Sequence, residues 1–312
     1  MSGTILVTGM PDDLVERARA TTRLTVRGVA AVTADLDDLD DVVAVAGHVP
    51  GELIERMPRL RWVHSWAAGP DADLSPELAA HDATMTSAAG NGAIPLAEHA
   101  MMLMLQLDRE ERTWAAAQRD HRWERRTHSE LAGKTIGLFG LGNAGRDLAR
   151  KAEAFHMRIL ACRRDASRPV EGVERIYPPT LLHEFLAECD VVVVTAPLTP
   201  ETAGVFDEAA FRAMKPSAYW ICVSRGGIAV DSALLRALRD GWIAGAGIDA
   251  HTVEPLPRTS PFWDAPNTIV TPHNGATTAG TGLRGTEIFL DNVGRFDAGE
   301  TLRNVVDKAA GY

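Results

Sequence analysis

Three polar residues stand out because each follows a short apolar run that reads as a β-strand. Arg225 lies in Ser224-Arg-Gly-Gly227, Glu254 in Val253-Glu-Pro-Leu256 and His273 in Thr271-Pro-His-Asn274. Taken singly, each has a plain structural reading: an ion pair, a turn cap, a satisfied loop histidine. Together they sit at strand ends of one α/β region, the edge where open sheets of this class bind ligands. Reduction of a 2-oxo acid needs these residue types. A cation must hold the carboxylate and polarise the carbonyl, which an arginine fork does bidentately. An acid must protonate the developing alkoxide, which histidine does near neutral pH, helped by a carboxylate that fixes its tautomer.

A second group could hold a nucleotide. Gly140-Leu-Gly-Asn-Ala-Gly145 follows the apolar run Thr-Ile-Gly-Leu-Phe139 and precedes a helical pattern over 146–155. In that order Gly140 permits a tight turn, Gly142 lets the backbone approach a pyrophosphate, and Gly145 lets helix pack on strand. The helix start at Asn143 and Ala144 then offers free amides and a positive dipole end to the anion.

These residues require βα units to position them. Strands are expected at 4–8, 42–46 and 61–65, with helical segments at 12–20 and 51–57. A second βα series starts at Lys134, with strands at 135–139, 158–162, 191–195, 219–223, 245–248 and 268–270. Its helices are expected at 181–188, 208–214 and 232–240, and the tail is helical over 281–296. Alternating units of this kind imply parallel sheets covered by helices. Because the glycine turn comes only at 140, the earlier strands must form a separate domain. A helix expected over 98–117, apolar nearly all round, should be buried at a domain or subunit interface.

Composition narrows the class. The chain has 312 residues, enough for two domains, with 46% hydrophobic and 24% charged residues. A net charge of −10 argues against a nucleic-acid partner. The basic cluster at 119–126 is interleaved with acids and reads as a solvated or interface helix end. No apolar stretch approaches the ~20 residues of a membrane span, and no signal peptide opens the chain. Cys162, Cys189 and Cys222 sit in or beside apolar runs without pairing motifs, which suits buried free thiols in a reducing cytoplasm. No metal-binding pattern is evident among the histidines.

From about residue 40 to its end, the chain resembles the D-isomer-specific 2-hydroxyacid dehydrogenases. The matching segments are Asn91-Gly92 with Ala97-Glu-His99, Leu131-Ala-Gly-Lys-Thr-Ile-Gly-Leu-Phe-Gly-Leu-Gly142 and Ala196-Pro-Leu-Thr-Pro-Glu-Thr202. Met214-Lys-Pro216, Ser224-Arg-Gly226, Gly247-Ile-Asp249, Glu254-Pro255 and Thr271-Pro-His273 follow in order. The resemblance implies an α/β protein of two doubly wound parallel-sheet domains. A Rossmann nucleotide-binding domain, 98–280, is inserted into a smaller flavodoxin-like substrate domain, 1–97 with 281–312. It implies that Arg225 binds substrate, His273 is the acid/base and Glu254 orients it. Nucleotide contacts are implied at Thr195, Pro197, Thr202, Val223, Ser224 and Asp249, and a carboxylate-binding loop at Ala67-Ala-Gly-Pro70, through Ala68 and Gly69. It also implies a cytoplasmic homodimer built on the nucleotide domain.

Two departures matter. Cys222 stands where the family usually has asparagine, which should alter strand-end hydrogen bonding without abolishing catalysis. NAD-specific members end their second nucleotide strand with an aspartate, whereas here Arg163-Arg164 follow Cys162 and Asp165 comes after them. Paired arginines attract a 2′-phosphate and can stack on adenine, unless they are merely solvated, so NADP(H) is expected ahead of NAD(H). The resemblance to the shorter reductases suggests glyoxylate or hydroxypyruvate as substrate, with no regulatory domain after Tyr312. Trp62 and Trp66, beside the substrate loop, would suit a bulkier oxo acid or simply the core. Glu254, in place of the glutamine of formate dehydrogenases, weakens that option. A nucleotide-sensing, corepressor-like binding protein of the same family is the alternative, since such proteins can keep the catalytic trio.

Overall fold

The computed structural model describes residues 2–311. In chain order the elements begin with β1 (Thr4–Thr8), α1 (Asp12–Thr21), β2 (Thr25–Val29), β3 (Val42–Ala46), β4 (Trp62–Ser65), α2 (Pro76–Ala80) and β5 (Thr84–Ser87). Next come α3 (Ala93–Asp108), α4 (Glu111–Arg119), β6 (Thr135–Phe139), α5 (Asn143–Ala154), β7 (Arg158–Cys162) and β8 (Arg175–Tyr177). The chain continues with α6 (Leu182–Glu188), β9 (Val191–Val194), α7 (Glu208–Ala213), β10 (Tyr219–Cys222), α8 (Asp231–Arg239), β11 (Gly245–Ile248), β12 (Thr268–Val270) and α9 (Ala279–Ala298). Among the described residues no helix is long and apolar enough to cross a membrane.

Two compact units result. One takes the described residues up to Gly92 and from Thr278 on, and the other is Ala93–Thr277. The boundaries expected at 97/98 and 280/281 fall just inside α3 and α9, whereas the units divide at the starts of those helices, so each helix lies wholly in one unit.

The first unit is a five-stranded parallel sheet in the order β2-β1-β3-β4-β5, the flavodoxin-like winding. The C-terminal helix α9 belongs to it: Phe289, Leu290, Val293 and Phe296 pack with Leu14, Val15 and Ala18 of α1 and with Trp62. Trp62 is fully buried there, stacked on Phe289 at 5.9 Å between ring centroids, so its indole is core. Strands β2 and β5 carried no clear signal in the sequence. Both are edge strands, and Thr-Val-Arg-Gly-Val and Thr-Met-Thr-Ser lack the long apolar run of a central strand.

The second unit is a seven-stranded parallel sheet in the order β12-β11-β10-β9-β6-β7-β8. Its middle strand β9 is Val191-Val-Val-Val194, and alternate valines serve opposite faces: Val192 and Val194 join one core, Val191 and Val193 the other. Helix α3 supplies much of that second core through Ala97, Ala100, Leu103, Met104 and Leu107. Its burial thus comes from the sheet of its own unit, where an interface was expected. The single helix expected over 98–117 is in fact two. Asp108 is buried and accepts from Ser129 Oγ (2.6 Å) and Lys134 Nζ, and Glu110 turns the chain in the left-handed region (φ 53°) before α4.

Candidate active site

The winding of the second sheet reverses between β6 and β9, and the glycine turn follows β6 at that switch point. Each glycine answers to a different neighbour. Gly140 has φ +100°, and a Cβ there would meet the Ala196 amide nitrogen at 2.6 Å. At Gly145 a Cβ would meet the Gly140 carbonyl oxygen at 2.6 Å, so helix and turn close tightly. At Gly142 it would meet no protein atom within 4 Å. That empty approach, at the start of α5 where no side chain caps the helix, fits a pyrophosphate on the first-turn amides of Asn143, Ala144 and Gly145. Thr195, just past β9, donates to the Gly140 carbonyl (3.0 Å) and ties the turn to the next strand.

Past β7, Arg163 donates through its guanidinium to the Arg168 carbonyl, while its Nε is buried without a partner. Asp165 is turned into its own loop: it accepts from the Ser167 amide (3.1 Å) and hydroxyl (2.6 Å) and pairs with Arg168 (3.2 Å). The acid is thus occupied, and the position an NAD-type aspartate would take is held by arginine. Arg164 follows, exposed. Farther along the same edge, Thr202 donates to the Pro197 carbonyl (2.7 Å) and accepts from the Thr199 amide (2.8 Å), so its hydroxyl stabilises its own turn.

The three candidate catalytic residues follow three adjacent strands, Arg225 after β10, Glu254 after β11 and His273 after β12. His273 Nδ1 faces both Glu254 oxygens, at 3.0 and 2.8 Å. A carboxylate only accepts, so Nδ1 carries the proton toward Glu254 and Nε2 is turned to the other side. Burial would raise the Glu254 carboxyl, but the His251 amide and His273 outweigh it and hold the group below its usual range. Val223 is buried at the end of its strand, and Ser224 offers its carbonyl to Arg225 Nη1 (2.9 Å). Cys222, the departure from the family's asparagine, donates Sγ–H to the Arg225 carbonyl (3.3 Å), so a weak donor still restrains that turn.

His273 has φ +50°, in the left-handed region, and needs support. Asp249 supplies it. Fully buried, its carboxylate accepts from Thr271 Oγ1 (2.6 Å) and from the amides of Asn274 (3.1 Å) and Gly275 (3.0 Å), with His99 Nε2 at 3.4 Å. His99 Nε2 also reaches Thr271 Oγ1 (3.0 Å) from α3. Burial would raise the Asp249 carboxyl, yet the bonds from His99, Thr271 and Gly275 hold it well below the usual carboxylate range.

The model of the D-isomer specific 2-hydroxyacid dehydrogenase NAD binding domain matches residues 101–275, more than half of the chain. The chain belongs to that family. A glyoxylate reductase of Pyrococcus furiosus is 33% identical over 286 residues, covering 88% of this chain and 83% of that one. An NADPH-dependent glyoxylate/hydroxypyruvate reductase of Sinorhizobium meliloti, solved with NADP and sulfate, superposes with a TM-score of 0.85 at 31% identity over all of both chains. A D-isomer specific 2-hydroxyacid dehydrogenase of Xanthobacter autotrophicus, solved with NADPH and MES, gives 0.88 at 30% identity, again over all of both chains.

Within this 2-hydroxyacid dehydrogenase, the Ala67-Ala-Gly-Pro70 loop follows β4 of the first unit. Its Ala67 amide donates to Ser65 Oγ (3.2 Å) and is thereby occupied, and its Ala68 carbonyl accepts from Ser87 Oγ (3.4 Å). Among the described residues, the amides of Ala68 and Gly69 make no hydrogen bond. Two further histidines join the candidate site. His99 stands in the family-matching segment Ala97-Glu-His99 with no role assigned there, although a lone histidine in an apolar helix must find a polar partner. His251, between Asp249 and Glu254, carried no signal of its own.

Proposed function

We propose that the protein reduces a small 2-oxo acid to the D-2-hydroxy acid with NADPH, glyoxylate and hydroxypyruvate being the first substrates to test. One observation carries this reading: His273 is held through Nδ1 by both oxygens of Glu254, which leaves Nε2 as the atom that gives up a proton. Arg225 binds the carboxylate and polarises the carbonyl. The family resemblance assigns the amides of Ala68 and Gly69, in the first unit, to substrate-carboxylate binding. As the carbonyl oxygen gains charge, His273 Nε2 protonates it and Glu254 stabilises the protonated ring that precedes the transfer.

Gly140, Gly142, Asn143, Ala144 and Gly145 would hold the pyrophosphate of the dinucleotide. Thr195, Pro197, Thr202, Val223, Ser224 and the buried Asp249 border its nicotinamide half. When bound there, NADPH supplies the hydride. Arg163 and Arg164 favour NADPH over NADH, and the orphaned Arg163 Nε is the donor that a 2′-phosphate would satisfy. NADP in the Sinorhizobium reductase and NADPH in the Xanthobacter protein support that preference. We assign the protein to the cytoplasm, as its three free buried thiols suit, and to a homodimer. Trp123, 95% exposed beyond α4, is the residue at which to test a contact between copies.

The test is turnover. Purified protein should oxidise NADPH with glyoxylate, hydroxypyruvate or phenylpyruvate, and Arg225→Ala or His273→Ala should abolish it. NADPH binding without turnover across a broad oxo-acid panel would replace this reading with the nucleotide-sensing one.

A further inference from the structure

We propose that His251 is a positioning residue that holds the proton-transfer pair Glu254–His273 in register, an inference that rests on the reading above. Three separate contacts converge on it. Its backbone amide donates to Glu254 Oε1 (2.8 Å), the oxygen that His273 Nδ1 also approaches, at 3.0 Å. Its ring Nε2 lies 2.9 Å from the Thr271 carbonyl, two residues before His273. Its own carbonyl carbon lies where a Cβ on Gly226 would meet it at 2.0 Å, so the turn carrying Arg225 packs directly on the His251 backbone. One residue therefore touches the segments that carry all three candidate catalytic groups.

The ring contact is directional. A carbonyl oxygen accepts only, so Nε2 must carry the proton, and the ring stands as the Nε2–H tautomer. Its Nδ1 is buried and has no hydrogen-bond partner. The histidine lines a cavity of about 270 Å³ together with Trp220, Cys222 and Arg225. The bond to Thr271 fixes the orientation of its ring. Asp249 restrains the same 271–275 turn from the other side, through Thr271 Oγ1 and the amides of Asn274 and Gly275. The left-handed His273 is thus fixed by Asp249 beneath it and by His251 alongside, and the same His251 sets the carboxylate it must meet.

Two variants separate positioning from bulk. His251→Phe keeps the ring volume and the backbone amide but removes the donor to Thr271. His251→Gln keeps a side-chain N–H at comparable reach. In H251F we expect kcat to fall about tenfold, part of the ~10²–10⁴ that a positioned general acid supplies. The KM for glyoxylate and the Kd for NADPH should stay within about twofold, and H251Q should recover to within about threefold of wild type. A second readout needs no turnover. In ¹⁵N-histidine NMR of the unliganded protein, the His273 Nδ1–H signal, assigned by its loss in His273→Asn, should be exchange-protected in wild type and H251Q and lost in H251F. Wild-type kcat in H251F, no recovery in H251Q, a joint loss of kcat, KM and NADPH affinity, or an intact His273 signal in H251F would each overturn the proposal. Absence of turnover in the wild type would sink the reductase reading alone, and the NMR comparison would still decide the role of His251.

Discussion

Glu254 and His273 are each 37% exposed in their side chains, so their link works near water and its value lies in direction more than in raw energy. Glu254→Gln keeps an acceptor oxygen near Nδ1 but removes the charge that stabilises a protonated ring. We expect kcat to drop about 100-fold with NADPH affinity unchanged, read by steady-state kinetics beside cofactor titration. Arg163 carries the cofactor argument at the same scale. Its orphaned Nε and the self-occupied Asp165 leave the site without a free carboxylate for a ribose hydroxyl. In Arg163→Asp the ratio of kcat/KM for NADPH over NADH should fall at least about tenfold, since one charge-assisted contact to phosphate is lost and a repulsive charge gained. An unchanged ratio would remove the arginines from cofactor selection.

At the scale of elements, the β6–α5 turn separates folding from binding within six residues. Gly140→Ala forces a side chain into the left-handed region and against the Ala196 amide, and should cost about 2–4 kcal/mol of stability, measured by denaturant melts of the unliganded protein. Gly142→Ala has φ −79° and open space around its new Cβ. Its unliganded stability should match wild type while NADPH binds at least about tenfold more weakly, because the methyl occupies the pyrophosphate approach. Equal NADPH affinity in Gly142→Ala would move the phosphate away from this turn. This motif was legible in sequence because strand, turn and helix are contiguous. The break between α3 and α4 was not, since Asp108 is drawn to Ser129 and Lys134 more than twenty residues on.

For the whole molecule, pH enters through a buried histidine of the first unit. His64 on β4 is fully buried, bonded through Nδ1 to Thr86 Oγ1 (2.9 Å), and burial pushes it from 6.5 down to about 4. The unfolded chain takes up that proton first, so acid favours unfolding. The contribution is full above pH 6.5 and is lost as pH falls toward 4, by about 3 kcal/mol. His64→Asn keeps a polar atom near Thr86 and does not titrate. Its stability relative to wild type should therefore improve steadily between pH 7 and 4, in parallel denaturant melts; a constant difference would show that His64 is not the titrating group. The proposed homodimer has its own marker: wild type should sediment as a dimer and Trp123→Ser as a monomer, with the unfolding signal of each unit retained.

The sequence by itself determined the two βα series, the glycine turn between β6 and α5 and the candidate trio Arg225, Glu254 and His273. Those features rest on local periodicity and on residue types that a given chemistry requires, and both are written in neighbouring positions. Only the tertiary structure decided the rest. It showed that Trp62 is core, that α3 buries itself on its own sheet, and that Asp165 is spent within its loop. It also brought Asp249, His99 and His251 into hydrogen-bonding contact with the turn bearing His273. Each of these depends on partners brought together by parallel strand pairing and helix packing, from positions as far apart as His99 and Thr271. Hydrogen-bond geometry between such groups leaves no periodic trace along the chain, so it appears only when the strands are laid side by side.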